Sequence, residues 1–356
     1  MLQIQVSKAD LRLARTVDMP FRPIPEGAAR LRLGLFGLSA NNITYATMGE
    51  SVLGYWDFFP APSGWGCTPC WGFADVVESR APGVETGMRY YGYFPIAETL
   101  DVLPVNISDH GFADGAPHRA NKPAVYNQYH LTAADALYDP EFEPEQVLFR
   151  PTFAPGWWLA DFVHRDNPRT IVMSSASSKS ALSTAYQLRS LGDHRLIGLT
   201  SAANGSYVRA TGLYHDVVNY DDVASLPADA PVTYVDFLGR GSLTEQLHQI
   251  LGTKLIRSVL FGATDWADKP GGVQPPNADV KGPKPEFFFT STHRDARLRE
   301  EPALGVAMQR DLRAFYPASR RFVTIQRHKG AEAILGCWNH LLSGNVDPRE
   351  GLALQF

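Results

Sequence analysis

A serine-rich segment at residues 174–181, SSASSKSA, stands between a short apolar run and a helical pattern. In a strand–turn–helix unit this place is the helix N-terminus, where free N–H groups and the helix dipole attract an anion. Dinucleotide-binding turns hold three glycines there, and this chain has Ser175, Ser178 and Ala181 in their places. These small residues allow a diphosphate to approach closely. The candidate phosphate-binding residues are Ser175, Ser177, Ser178 and Lys179.

The same segment has two other interpretations. Residues 178–180, Ser-Lys-Ser, are similar to the end of a nucleoside-triphosphate P-loop, but the glycines of that motif are absent. The serines could also cap the helix and bind no ligand. None of the three residues in the glycine places adopts a positive φ as easily as glycine does. The capped helix therefore stays open as an alternative to a phosphate site.

The residues that follow the next predicted strand bear on the identity of the cofactor. NAD-binding folds place an acidic side chain there, on the ribose 2′-hydroxyl. This chain has the neutral Thr200, Ser201 and Asn204 instead, and Arg209 is a candidate charge partner. Neutral groups leave room for a 2′-phosphate, so NADP, in its reduced form NADPH, is favoured over NAD. Tyr220, at the end of the following strand, is added as a candidate cofactor-binding residue.

The elements around this turn alternate between strands and helices. Apolar runs at 170–173 and 196–199 flank a helical pattern that ends at Gly192, which is the pattern of a βαβ unit. Strands that alternate with helices require a parallel sheet covered on both faces. Further strands are predicted at 216–220, 232–237, 255–262 and 286–290, with a helix at 243–251 and a Pro/Gly-rich loop at 268–285.

The rest of the chain has a different character. The first third is predicted to be β structure with long Pro/Gly-rich loops, and its strands are at 31–38, 71–78 and 90–94. The polar cluster at 125–130 either lines a substrate site or forms a half-buried strand, and the strand is favoured. The tail is predicted as a helix at 303–315, a strand at 322–324 and a helix at 331–343.

Composition excludes several classes of protein. Hydrophobic residues make up 44% of the chain and the formal net charge is −4, which argues against disorder and against a nucleic-acid-binding protein. No apolar run approaches the roughly 20 residues that cross a bilayer, and the N-terminus lacks a signal-peptide pattern, so a cytoplasmic location is expected. Cys67 and Cys70 form a CxxC, either a redox or metal pair or two ordinary loop residues, and the latter is favoured.

Motifs spread over nearly the whole chain point to one family. Residues 38–45 (LSANNITY) are similar to a stretch that carries Asn-Pro-x-Asp, and Gly54-Tyr55 followed by Pro60 is similar to a Gly-x-Tyr-Pro segment. Residues 72–77 are similar to a Gly-x-Glu-x-x-Gly-x-Val strand. Together these motifs resemble the medium-chain dehydrogenase/reductase superfamily, in its zinc-free quinone and enoyl reductase branch. The serine-rich turn is typical of a little-characterised branch of unknown function.

The resemblance implies a fold of class α/β with two domains. A GroES-like, mostly-β catalytic domain would comprise residues 1–149 and 297–356, and a Rossmann dinucleotide-binding domain would comprise residues 150–296. The substrate would lie in the cleft between them, and the edge strand near residues 287–289 would pair two copies into a homodimer. The zinc ligands of the family are not recognisable here, so no metal site is expected.

Metal-independent reduction needs hydrogen-bond donors for the oxygen that gains negative charge. By the resemblance, Tyr55 is the candidate acid, and Asn42 and Tyr45 are candidates for polarising the substrate carbonyl. The expected activity is an NADPH-dependent reduction of an activated alkene or a carbonyl, in an enone, quinone or enoyl thioester. Two alternatives stay open, namely a cofactor-binding protein without redox activity and a non-redox enzyme that hydrolyses or cleaves a ketone.

Overall fold

The computed structural model describes residues 1–50, 54–227, 229–262 and 280–356. Contacts divide the chain into unit 1, Met1–Leu148 with Thr324–Phe356, and unit 2, Phe149–Val323. The sequence interpretation returned the chain to the first domain at residue 297. Residues 297–323 instead belong to unit 2, because the ring of Phe315 packs on Phe149, Phe153 and Tyr186.

The helices and strands follow one another in this order. The first are β1 (Leu2–Ser7), β2 (Ala14–Asp18), β3 (Ala29–Leu38), α1 (Ala40–Thr47), β4 (Trp65–Gly66), β5 (Pro69–Ser79), β6 (Arg89–Pro95), β7 (Thr99–Val102), β8 (Pro104–Ser108), β9 (Gly111–Asp114), β10 (Gln128–Leu131) and α2 (Glu143–His164). Next come β11 (Thr170–Met173), α3 (Lys179–Leu191), β12 (Arg195–Thr200), α4 (Gly205–Ala210), β13 (Asp216–Asn219), β14 (Val232–Asp236), α5 (Gly241–Leu251), β15 (Leu255–Leu260), β16 (Glu286–Phe287), α6 (Thr290–Glu300) and α7 (Ala303–Ser319). The last are β17 (Thr324–Lys329), α8 (Ala331–Leu342) and β18 (Glu350–Gln355).

Unit 1 is built mainly of β structure, as the sequence predicts. Its large sheet has the strand order β17-β18-β3-β5-β6-β10-β9-β8, with β7 also paired to β3, and a smaller sheet has the order β2-β1-β4. Strands β3 and β5 carry large side chains that are fully buried, among them Phe36 and Phe73. Burial of these aromatic rings is a main source of stability for the sheet.

Unit 2 contains the parallel sheet that the alternating pattern predicts. The strand order is β13-β12-β11-β14-β15-β16, and each of these neighbouring pairs is parallel. This is the order 3-2-1-4-5-6 of a Rossmann fold. The predicted strand at 170–173 coincides with β11, and the predicted helix end at Gly192 is the C-cap of α3. The predicted fold class, a mostly-β domain with a doubly wound α/β domain, is confirmed.

Several elements differ from the sequence expectation. Helix α2 was not predicted, because Pro151 and Pro155 lie in its interior, where proline removes backbone hydrogen bonds. Burial of Trp158 and Leu159 on this helix outweighs that cost. The predicted strand at 286–290 is shorter, since α6 begins at Thr290. The tail strand begins two residues later than predicted, and of the predicted loop at 268–285 only residues 280–285 are described.

Among the described residues, no helix is both long and apolar enough to traverse a lipid bilayer. Within the same residues, no group of three or more His, Cys, Asp or Glu side chains is arranged to hold a metal ion.

One buried hydrogen-bond network joins the carboxyl ends of β11 and β14. Ser174 Oγ donates to Asp236 Oδ1 at 2.7 Å and accepts from the N–H groups of Phe237 and Leu238 at 2.8 and 3.0 Å. Asp236 Oδ1 also accepts from the N–H groups of Leu238 and Gly239, and Oδ2 accepts from the Thr244 hydroxyl. The carboxylate is 1% exposed, so these bonds replace its hydration.

This network predicts a graded loss of stability. Asp236→Ala leaves buried N–H and hydroxyl groups without partners and should lower the free energy of unfolding by about 3 kcal/mol. Asp236→Asn keeps one carbonyl oxygen and should cost about 1 kcal/mol. Urea unfolding followed by circular dichroism measures both, with the exposed Asp193→Asn as the control. An Asp236→Ala variant within about 0.5 kcal/mol of the unsubstituted protein would contradict this role.

Candidate functional site

The serine-rich turn joins β11 to the N-terminus of α3. Ser178 is the N-cap residue, and its Oγ accepts from the N–H of Ala181 at 3.3 Å. The first turn of α3 contains no acidic residue, so the helix dipole is not neutralised there. The capping that the sequence left open is thus present, but it satisfies only one of the free N–H groups of the helix.

Ser175 adopts the backbone conformation that glycine usually provides. Its φ is +48°, in the left-handed region, which costs a non-glycine residue about 1–2 kcal/mol. Its N–H donates to the Tyr220 hydroxyl oxygen at 2.9 Å, and its carbonyl accepts from the N–H of Ser178 at 2.8 Å. The turn therefore has a glycine-like path although it contains no glycine, and two hydrogen bonds hold Ser175 in the strained conformation.

Close packing against β12 fixes the middle of the turn. The N–H of Ala176 donates to the Leu199 carbonyl at 3.0 Å, and the Tyr214 hydroxyl donates to the Ala176 carbonyl at 3.1 Å. A Cβ added to Gly198 would lie 2.8 Å from the Ala176 Cβ, so glycine is required on the strand. The glycine that this close approach needs lies on β12, whereas dinucleotide folds usually have it in the turn.

The structure brings together some of the predicted cofactor-binding residues. Asn204 Nδ2 donates to Ser177 Oγ at 3.3 Å, which links the residues after β12 to the turn. Ser201 is half-buried after the same strand, whereas Thr200 is 1% exposed at the strand end. Lys179 is half-buried in the first turn of α3.

Arg240 was missed by the sequence interpretation. It follows Gly239, whose φ is +76°, and is the N-cap residue of α5. Its guanidinium carbon lies 5.6 Å from the centre of the Tyr220 ring, a cation–π distance. The side chain of Tyr220 therefore contacts both the Arg240 guanidinium and the N–H of Ser175. The sequence feature that could have identified Arg240 is its position shortly after the predicted strand at 232–237 of the parallel sheet.

These observations test whether the turn fits a dinucleotide. The turn supplies hydroxyl groups, a helix N-terminus without an acidic residue in its first turn, and a left-handed Ser175. The Arg240 guanidinium lies at a cation–π distance from the ring of Tyr220, whose hydroxyl accepts from the N–H of Ser175. A diphosphate needs hydrogen-bond donors and positive charge of this kind, so the residues fit it.

In unit 1 the predicted catalytic residues lie in an aromatic cluster. Tyr55 begins a 3₁₀ turn, Tyr55–Phe58, and its ring centre lies 4.7 Å from that of Tyr45 and 5.9 Å from that of Tyr126. The hydroxyl oxygens of Tyr55 and Tyr126 are 3.2 Å apart. Burial, with a smaller contribution from Tyr45, raises the pKa of Tyr55 to about 12. The phenol therefore stays protonated at neutral pH.

The hydroxyl of Tyr45 has two N–H donors. It accepts from Asn41 Nδ2 at 2.7 Å and from Trp71 Nε1 at 3.1 Å. Burial raises the pKa of Tyr45 well above its ordinary value, while these two bonds act in the opposite direction. With both bonds accepted, the remaining capacity of this phenol is to donate its O–H.

Asn42 has a different environment from the one expected of a substrate-binding residue. Its Nδ2 donates to the Pro69 carbonyl at 2.9 Å, and its Oδ1 accepts from the N–H of Ser39 at 2.8 Å. The residue is 4% exposed and forms the capping box of α1. Both ends of the amide are engaged in the fold, so Asn42 positions α1, which carries Tyr45, and its expected role in polarising a carbonyl stays a prediction.

The two cysteines of the CxxC segment are free and fully buried. Burial raises the pKa of Cys67 to about 12 and that of Cys70 well above its ordinary value. A thiol must ionise to act as a nucleophile or a metal ligand. Both side chains are therefore held as thiols in the core, and Cys70 lies in β5 rather than in the loop that the favoured interpretation assumed.

Solved structures share this fold over their full length. CurA from Vibrio vulnificus, in complex with NADPH, has a TM-score of 0.64 and 13% identity, and the match covers 100% of this chain and 99% of that chain. The yhdH oxidoreductase from Salmonella enterica, in complex with NADP, has a TM-score of 0.58 and 12% identity with full coverage of both chains. The quinone oxidoreductase from Coxiella burnetii has a TM-score of 0.57 and 13% identity, covering 100% of this chain and 99% of that chain.

These similarities confirm the predicted resemblance at the level of the fold. None of the curated proteins matches the sequence. A family model described as "Protein of unknown function (DUF2855)" matches residues 36–347. The match covers most of the chain, and the chain belongs to this family.

Proposed function

We propose that the protein is an NADPH-dependent, metal-independent reductase of an activated alkene or a carbonyl, in an enone, a quinone or an enoyl thioester. The observation that carries the proposal is the left-handed Ser175, held by the Tyr220 hydroxyl in the first turn of a Rossmann sheet. A strained residue at this place is expected where the backbone must approach a ligand closely. Known structures of the same fold bound to NADPH or NADP support the proposal.

The proposed cofactor site is formed by residues of unit 2. N–H groups of the turn and the hydroxyls of Ser177 and Ser178 would hold the diphosphate, with the Lys179 ammonium adding charge. Ser201, Asn204 and Arg240 would hold the phosphate that distinguishes NADPH from NADH. When bound, NADPH supplies a hydride to the electrophilic carbon of the substrate.

The proposed substrate chemistry falls to the tyrosines of unit 1. The substrate oxygen gains negative charge during reduction, and the O–H of Tyr45 would donate to it. The N–H bonds from Asn41 and Trp71 favour this donation, because they stabilise negative charge on the Tyr45 oxygen. Tyr55, protonated at neutral pH, would supply the proton that completes the product, and Tyr126 is placed to replace that proton.

We also propose a cytoplasmic homodimer. Strand β16 lies at the edge of the parallel sheet, where Phe287 and Phe289 are 45% and 63% exposed. An edge strand with exposed aromatic residues favours pairing with a second copy. The three free thiols suit a reducing compartment such as the cytoplasm.

Substitution of Ser175 tests the cofactor site. Ser175→Gly adopts a positive φ without strain and should bind NADPH within about twofold of the unsubstituted protein. Ser175→Val should weaken binding at least about tenfold, because a β-branched residue is strongly disfavoured there. Calorimetry with NADPH and NADH measures both variants. Absence of heat from the unsubstituted protein with either dinucleotide would refute the cofactor assignment.

Removal of single hydroxyls tests the catalytic assignment. Tyr45→Phe and Tyr55→Phe should each lower kcat about a hundredfold while NADPH affinity stays unchanged, because they remove a donor needed only by the reacting substrate. The assay is NADPH oxidation with a panel of enones and quinones. Tyr90→Phe, in which the lost hydroxyl donates to the Met88 sulfur, is the control. Unchanged kcat in both test variants would remove these phenols from the reaction.

Assembly is tested at the exposed edge. Phe289→Asp places a charge on the exposed edge and should convert a dimer into a monomer, as seen by light scattering after size exclusion. Val306→Asp alters another exposed apolar residue, on α7 rather than at this edge, and should leave the dimer intact. A monomeric unsubstituted protein at micromolar concentration would contradict the proposed pairing.

A further inference from the structure

Unit 1 contains a cavity, which we call the hairpin pocket. It has a volume of about 340 Å³ and is lined by residues of β1, by the segment after β2, by β7 and by the residues around Phe58 and His118. This volume is within the range of small-molecule sites. Tyr45, Tyr55 and Tyr126 are not among the lining residues, so the pocket is separate from the phenols assigned to catalysis.

The acidic side chains of the pocket are neutralised by buried arginines. Asp101 accepts two hydrogen bonds from Arg30, at 2.7 and 2.8 Å, and Arg30 is 3% exposed. Asp114 forms an ion pair with Arg119 at 2.9 Å, and Arg119 is 1% exposed. Neither carboxylate therefore presents an unpaired negative charge to a ligand.

Arg22 is the uncompensated charge of the pocket. It lines the pocket and is exposed, and its guanidinium has no hydrogen bond or ion pair within the described part of the chain. Gln3, which also lines the pocket, retains hydrogen-bond donors. Its Oε1 accepts from Gln5 Nε2 at 2.8 Å, which leaves its own amide N–H groups as donors. The polar part of the pocket therefore favours an anion.

The lining also contains apolar side chains. Leu2, Met19, Phe58, Phe59 and Leu100 contribute to it. Such a surface gains free energy when it covers a hydrocarbon chain rather than water. From this combination we propose that the hairpin pocket is a ligand site for a small monocarboxylate with an aliphatic body, whose carboxylate pairs with Arg22. The proposal is independent of the reductase activity.

Calorimetry on the full chain without dinucleotide tests the site, with sodium hexanoate as the probe. Hexanoate should bind at one site per chain and at least about tenfold more tightly than acetate, which lacks the body, and than 1-hexanol or hexylammonium, which lack the carboxylate. Equal affinity for acetate and hexanoate, or for hexanol and hexanoate, would overturn the proposal. So would weak binding at several sites.

Variants of two exposed arginines locate the binding. Arg22→Ala should weaken hexanoate binding about tenfold and leave the melting temperature unchanged, because the guanidinium has no partner to lose. Arg12→Ala is the matched control, since Arg12 is exposed on the connection between β1 and β2 but does not line the pocket. Equal hexanoate affinity in the two variants would overturn the assignment of Arg22.

Discussion

The turn of five residues between Met173 and Lys179 depends on contacts with three other segments of unit 2. Its residues are anchored by different partners. Ser174 is bonded to Asp236, Ser175 to Tyr220, and Ala176 to β12. The partners lie on separate strands, or directly after them, so the path of the turn depends on correct assembly of the sheet. This dependence explains how a turn without glycine can keep a conformation that its own residues disfavour.

Local sequence patterns were sufficient to predict the helices and strands around the turn. They were insufficient to predict which residues contact one another at the site. Apolar runs and a helical period placed β11, α3 and β12 within one or two residues, because burial on a sheet determines those patterns. Ser175 and Tyr220 are 45 residues apart, and only the strand order brings them together. The same holds for Arg240, which no local motif identifies. Helix α2 was missed because tertiary burial outweighs the two prolines in it.

The candidate residues of unit 1 show the limit of a family resemblance. The motif singles out Asn42, Tyr45 and Tyr55, but their roles depend on hydrogen bonds that a motif does not specify. Asn42 is engaged by backbone groups at both ends, whereas Tyr45 receives two N–H donors. The sequence ranked Tyr55 first as the acid, and the role proposed here for Tyr45 depends on its two N–H donors. The residue types follow from the motif, whereas their hydrogen-bond partners do not.

A serine in the left-handed position also affects the unfolded chain. Glycine would relieve the strain, but it would enlarge the set of conformations that the chain abandons on folding. With serine, the chain loses less conformational entropy than it would with glycine, and it loses it when the sheet forms. A ligand that binds at this turn meets a preorganised surface, so little further mobility of the turn is lost on binding. Ser175 thus combines a strained backbone conformation with a smaller loss of conformational entropy on folding than glycine would have there.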